Sequence, residues 1–435
     1  MAEGPPYGKA LREKHFLYKD GYVPLNHGSF GAFPRAVKDE MIRLLDQCEG
    51  DVDGYIRYVY PAELEKARQI AADLLNVDSS TVVFVPNATT AINVVLRALT
   101  WKPEDVIMYL DITYSGFEKT VEYIVESTPA SAQLVDIKWP CETDELIAAF
   151  EKTAQDIRAK GQNPRLAIFD TITSMPGIRL PYEQLTRKSK ELGVLSFLDG
   201  AQGIGQIEID LGTIKPDFFT SNLHKWLFVP RGCAVLYVPE EHQAEIRSSI
   251  PTSHGYKVPP RPGQRKVNNP FPPATGNAFH ELFNFVGTTN NDAYLTLSTA
   301  MEFRKTVCGG EKAIIDYSIN LAKTGGDKAA QILGTEVFDN KSGTLRQCAF
   351  ANIRLPLEYG DGPGQIPPED IGKVQQFIAK ESVKAGTFFA FVFYNGAHWW
   401  RISTPVMLDE ADIVWGAQIM KGLCERVRNE EYASQ

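Results

Sequence analysis

Paired cysteines are missing from this chain. Its six cysteines, at 48, 141, 233, 308, 348 and 424, are scattered without a CxxC pair, which argues for reduced thiols and against a disulfide framework or a zinc site. No metal centre is expected. Long hydrophobic runs are missing as well: no uninterrupted apolar segment is long enough to span a bilayer, and the opening MAEGPPYGKALREKHF lacks the apolar core of a secretory signal. A cytosolic location is the expectation. Nor is there a surplus of positive charge. The formal net charge is -9 with both signs interspersed, so neither a basic stripe for nucleic acid nor a polybasic membrane anchor is present. A small-molecule partner is expected instead. No GxGxxG follows the first strand-like run, which disfavours dinucleotide binding, and no internal repeat is visible.

What the sequence does have is apolar content, 43% of 435 residues, with 11% aromatic, enough for a substantial core and two domains. From about residue 60, apolar strand-like runs alternate with amphipathic helical ones. The runs TVVFVP (81–86), VIMYL (106–110), QLVDI (133–137), LAIFD (166–170), VLSFLD (194–199) and CAVLYV (233–238) read as strands, and 88–99, 141–159 and 182–192 as helices. That alternation predicts an α/β fold with a mostly parallel mixed sheet. The boundaries expected are an N-terminal segment (1–45) packing with the small domain and the active site, a large domain (46–305), and a smaller α+β domain (306–435). The stretch 251–277, rich in Pro, Gly and polar residues, reads as a long loop suited to a lid.

In open α/β sheets the ligand lies at the carboxyl ends of the strands, and there the residues turn polar. After TVVFVP come Asn87, Ala88, Thr89 and Thr90 at a helix start: a capping side chain, backbone N–H groups and hydroxyls that make either an ordinary cap or an anion site. After VLSFLD comes DGAQ, with Asp199 at the strand end and Gln202 one turn on. In TSNLHKWLFVPRG (220–232), Lys225 stands beside Trp226, Leu227, Phe228 and Val229. A lysine among apolar groups either snorkels to water or loses its proton and becomes a nucleophilic amine. A carboxylate, an amine and an anion cradle at successive strand ends favour the second reading, because they match the pyridinium, aldehyde and phosphate of pyridoxal 5′-phosphate.

The spacing DGAQ…HK resembles the fold-type I pyridoxal-phosphate enzymes of aminotransferase class V, over nearly the whole chain. The resemblance implies that Lys225 links to the cofactor aldehyde, Asp199 pairs with the ring nitrogen, Gln202 bonds the ring hydroxyl, and Thr89 with His224 holds the phosphate. Tyr114 falls where the family places a ring stacked on the cofactor, and Thr173 and Ser174 fall at positions flanking it. Asn222 replaces a serine that serves many relatives as a phosphate ligand, a contact that Ser221 or Thr220 would then take over. Thr288, in VGTTNND, looks like the family threonine that reaches the neighbouring subunit's phosphate, which implies a homodimer with shared active sites. Arg401, in HWWRISTPV, resembles the arginine that pairs with the substrate carboxylate. LNHGSFG (25–31) resembles an N-terminal motif of the isopenicillin N epimerase-like subgroup, in which Asn26, His27 and Ser29 approach the substrate.

Taken together, LNHGSFGAFP, DGYIRY, the DGAQ…HKW stretch and WWRIS look most like the fungal C–S lyases of ergothioneine biosynthesis, which cleave hercynylcysteine sulfoxide. That likeness implies β-elimination with Tyr114 as general acid. For a trimethylammonium group, Tyr55, Tyr58, Phe30 and Trp399 are candidate aromatic walls, and Arg57 a contact for a polar group. Epimerisation is the alternative within the same chemistry. Cysteine desulfurase activity is disfavoured, because Cys348 lies in a strand-like stretch rather than on an exposed Gly-rich loop.

Overall fold

The computed structural model describes residues 6–434 except 248–249, 252–255, 257–260 and 264–276, so the expected lid at 251–277 lies almost wholly outside the described residues. Strands β1 (Val82–Val85), β2 (Asp105–Tyr109), β3 (Ser131–Leu134), β4 (Asn163–Asp170), β5 (Leu195–Asp199), β6 (Phe218–Ser221) and β7 (Ala234–Tyr237) form one sheet in the order β1-β7-β6-β5-β4-β2-β3. From β3 through β6 the pairing is parallel, and β7 runs antiparallel to both β6 and β1. This is the mostly parallel mixed sheet read from the sequence. Successive residues of β1 divide between two separate apolar clusters, Val82 and Phe84 to one and Val83 and Val85 to the other. Both faces of the sheet are therefore covered, which is why its inner strands read as unbroken apolar runs.

Two strands differ from the sequence reading. β3 begins two residues before the expected QLVDI run, since it is an edge strand and three of its four residues are exposed. β6 was not expected at all, although it is the strand that delivers Lys225. The helices match within a residue or two: Ala88–Ala98 capped by Asn87, Thr143–Ala159 closed by a Glu142/Glu145 capping box, and Tyr182–Glu191.

A second, three-stranded antiparallel sheet orders β8 (Phe350–Arg354), β10 (Ala397–Ser403) and β9 (Ala390–Tyr394) as β8-β10-β9. The 23-residue helix Glu311–Leu333 and the helix Glu410–Arg428 pack against each other and on this sheet. The first can come close because of Gly325, where a Cβ would stand 2.3 Å from the Ile413 side chain. The chain's beginning joins its end: Arg12 is buried and forks onto Asp412 at 2.7 and 3.0 Å. Among the described residues no helix is long and apolar enough to cross a membrane.

Candidate active site

Lys225 sits in a single helical turn, Leu223–Trp226, directly after β6. The side chain is only partly covered, yet desolvation pulls its pKa down to about 8, with Asp199 opposing that shift and Arg401 adding to it. The turn is braced from two sides. Arg304, fully buried, donates to Trp226 O at 2.7 Å and pairs with Glu311. Opposite, Gly31 has φ +65°, and a Cβ on it would lie 1.8 Å from His224 O and 2.9 Å from Lys225 Cα. The N-terminal segment thus lies backbone on backbone against the lysine turn, and only glycine fits there.

Asp199 closes β5 and is buried; its Oδ1 accepts the Ala201 N–H at 2.8 Å, whereas Oδ2 has no partner among the described residues. Burial raises its pKa to about 6. Such an orphaned oxygen suits a protonated ring nitrogen. Beside it, in register, Asp170 closes β4. Sequence reasoning did not single out Asp170, although it ends an apolar run just as Asp199 does.

At the helix start after β1, Asn87 Oδ1 accepts both the N–H (2.8 Å) and the hydroxyl (3.0 Å) of Thr90. The Ala88 N–H goes to Asn222 Oδ1 at 2.9 Å. Ala88, Thr90 and Asn222 thereby build the turn, and Thr89, exposed at its tip, is left to meet an anion. The Tyr114 ring flanks the same tip: a Cβ on Gly116 would stand 2.7 Å from Tyr114 Cε1 and 3.4 Å from Thr89 Oγ1. Neither substitute considered for the missing serine faces this turn. Ser221 donates to Gly200 O and Thr220 to Val235 O, both fully buried. His224 Nδ1 lies 2.8 Å from Cys233 O, and burial lowers its pKa to about 4. In the neutral ring Nδ1–H then serves that carbonyl, and Nε2 donates to a phosphate only after taking up a proton.

Gln202 is buried, donating to Gly28 O (2.9 Å) and accepting from Trp226 Nε1 (2.8 Å); one amide hydrogen is left for a ring hydroxyl. The Thr173 hydroxyl closes its own turn onto Pro176 O. Ser174 O accepts from Arg401 NH1 at 2.7 Å. Arg401 is buried in β10, its guanidinium 4.6 Å from the centre of the Phe350 ring. Its NH2 donates to Asn26 Oδ1 and Ser29 Oγ, each at 2.8 Å. All three oxygen partners are uncharged, Nε has no partner among the described residues, and burial lowers the pKa to about 10. Asn26 and Ser29 therefore hold the arginine, while His27, pushed down to about 4 by burial, packs edge-on against Trp226 and Phe228.

Of the remaining candidates, Phe30 lies between Ser29 and Gly31 of this group, and Trp399 lies two residues before Arg401. Thr288 lines a 270 Å³ cavity with Tyr55, Tyr60 and Asp292, none of which belongs to the Lys225 site. Tyr55 is buried and donates to Asp292, and Trp399 packs on Phe338; Phe30 and Tyr58 are two-thirds exposed. Arg57 pairs with Asp53 at 3.1 Å. Cys348 is fully buried, with its thiol pushed up to about 12.

The aminotransferase class-V family model matches residues 34–270, more than half of the chain. The chain belongs to that family. It is 34% identical, over 98% of both chains, to the L-cysteine desulfhydrase-like protein lolT1 of Epichloe uncinata. It is 30% identical to the hercynylcysteine sulfoxide lyase of Schizosaccharomyces pombe, over 98% of this chain and 100% of that one. Among solved structures, the apo cysteine desulfurase of Thermococcus onnurineus NA1 superposes with a TM-score of 0.72 at 15% identity, covering 98% of this chain and 99% of that one, a likeness of fold. This class-V enzyme has the fold of the pyridoxal-phosphate enzymes, and its Lys225, Asp199 and Thr89 fit that cofactor.

Proposed function

We propose that the chain is a carbon–sulfur lyase that cleaves hercynylcysteine sulfoxide by β-elimination, in ergothioneine biosynthesis, as a cytosolic homodimer. What carries the reading is Arg401 beside Lys225: a buried guanidinium whose partners are all uncharged, next to an amine with a lowered pKa. That pair suits an α-amino acid, the carboxylate taken by the arginine fork and the amino group exchanging with the lysine.

When bound, pyridoxal 5′-phosphate supplies an aldehyde and an electron sink. Arg401 would fix the substrate carboxylate, and Asp199, through its unpartnered Oδ2, would hold the ring nitrogen. The Lys225 amine would take the Cα proton. Tyr114 hands a proton to the oxygen on the departing sulfur. The Cβ–S bond breaks, a sulfenic acid leaves, and addition of water to the three-carbon fragment yields pyruvate and ammonia. Cys348 supplies no thiolate to accept sulfur, because its thiol is fully buried; this disfavours a desulfurase.

The hercynylcysteine half rests on the relative from S. pombe. Simple cysteine is the second reading, favoured by the relatives named for L-cysteine desulfhydrase. Pyruvate release measured with hercynylcysteine sulfoxide, simple cysteine S-oxides and L-cysteine separates the two. The expected order puts the conjugate first, whereas pyruvate and sulfide from L-cysteine alone would overturn it. Deuterium entering Cα while Cβ stays intact would make the chain an epimerase. The homodimer is supported by exposed Leu45 and Val52, which line the Thr288 cavity, an apolar margin that a second copy would cover.

A further inference from the structure

Two acids stand side by side at the floor of the site. Asp170 and Asp199 end neighbouring parallel strands in register, so both side chains leave the sheet on the same face. Asp170 is 2% exposed and Asp199 1%, and in each the Oδ2 atom is buried without a hydrogen-bond partner among the described residues. The charged group acting on the pair is Lys225, from the turn after β6, on which Arg401 of β10 acts in turn. Two ionised carboxylates in so dry a place repel, and the usual resolution is a single proton held between them. Asp199 is the better anion, since it already accepts the Ala201 N–H.

We propose that Asp170 and Asp199 hold one proton between them, Asp170 as the neutral acid donating to Asp199. Asp170 is a positioning residue here: by donating, it stabilises the Asp199 charge and keeps the proton of the pair off the oxygen meant for the ring nitrogen. Burial, and then the neighbouring Asp199, push the Asp170 carboxyl well above the usual carboxylate range. Burial lifts Asp199 to about 6 even against the lowering by the Ala201 N–H and Lys225, toward the range in which it would fail to hold an ion pair at neutral pH. A donor on its flank corrects that.

The inference uses the cofactor's place but not the substrate, so its test avoids pyruvate release. The infrared difference between holoenzyme and apoprotein is expected to contain a protonated-carboxylic-acid C=O stretch that moves when the cofactor is loaded, and Asp170→Asn is expected to abolish it. Asn keeps an N–H donor, so D170N should bind cofactor within about twofold of wild type, whereas D170A, with no donor, should bind roughly tenfold more weakly. No acid band in the wild-type difference spectrum overturns the proposal, and that measurement needs no variant to fold. So does D170N binding as weakly as D170A, or D170A binding as tightly as wild type.

Discussion

At the scale of single residues, Arg401 stands on dipoles: a carbonyl, an amide oxygen and a hydroxyl hold it, and among the described residues no carboxylate pairs with it. Lysine at 401 would keep the charge but lose the planar fork, so Arg401→Lys should lower kcat/KM about 10- to 100-fold, chiefly through KM, in steady-state assays. Lys225 carries a sharper expectation. Its amine titrates near 8 and attacks an aldehyde only when neutral, so the rate at which apoprotein regains its visible absorbance should climb as pH rises through about 8 and level off above it. Lys225→Ala should abolish that absorbance and cost about 10²- to 10⁴-fold in turnover. A pH-independent reconstitution rate would contradict the first expectation, and a yellow, active Lys225→Ala variant the second.

At the scale of elements, the short lysine turn owes its position to what presses on it. Gly31, left-handed and in backbone contact with His224 and Lys225, has no room for a methyl group. Gly31→Ala should lower Tm by several degrees, the effect of about 1–3 kcal/mol of overpacking, and weaken cofactor retention, as read by thermal melts and dialysis. The alternation of apolar runs and amphipathic helices made most of the large sheet legible in the sequence, because strands covered on both faces must be apolar throughout and must turn polar where they end. β3 was misplaced because an edge strand has little to bury. β6 escaped because four residues, half of them Thr and Ser, make no run. Side-chain destinations were harder to read. That Gln202 would serve Gly28 and Trp226, or Thr173 its own turn, depends on carbonyls brought near by folding, and no spacing along the chain encodes them. Asp170 is different: the LAIFD run displayed it in the open, and only its in-register neighbour gives it meaning.

For the whole molecule, one ionisable group ties stability to pH. His242 lies between Asp217 (3.0 Å) and Glu245 (2.9 Å), which raise its pKa to about 9. A folded pKa above the unfolded one near 6.5 means the stabilisation is complete below about pH 6.5 and is lost as pH climbs through 9. Wild type should therefore melt above His242→Gln at pH 6, and the gap should close by pH 10. Sedimentation velocity tests the homodimer: a charged residue at Leu45 or Val52 should shift the protein toward monomer if their exposed faces meet a second copy. The brace between Arg12 and Asp412, and the grip of Asn26 and Ser29 on Arg401, also join the two ends of the chain. Every strand of the large sheet ends by residue 237, whereas the arginine lies more than 160 residues later. Loss of either end of the chain would therefore remove a partner of this arginine or the arginine itself, while every strand of the large sheet remained.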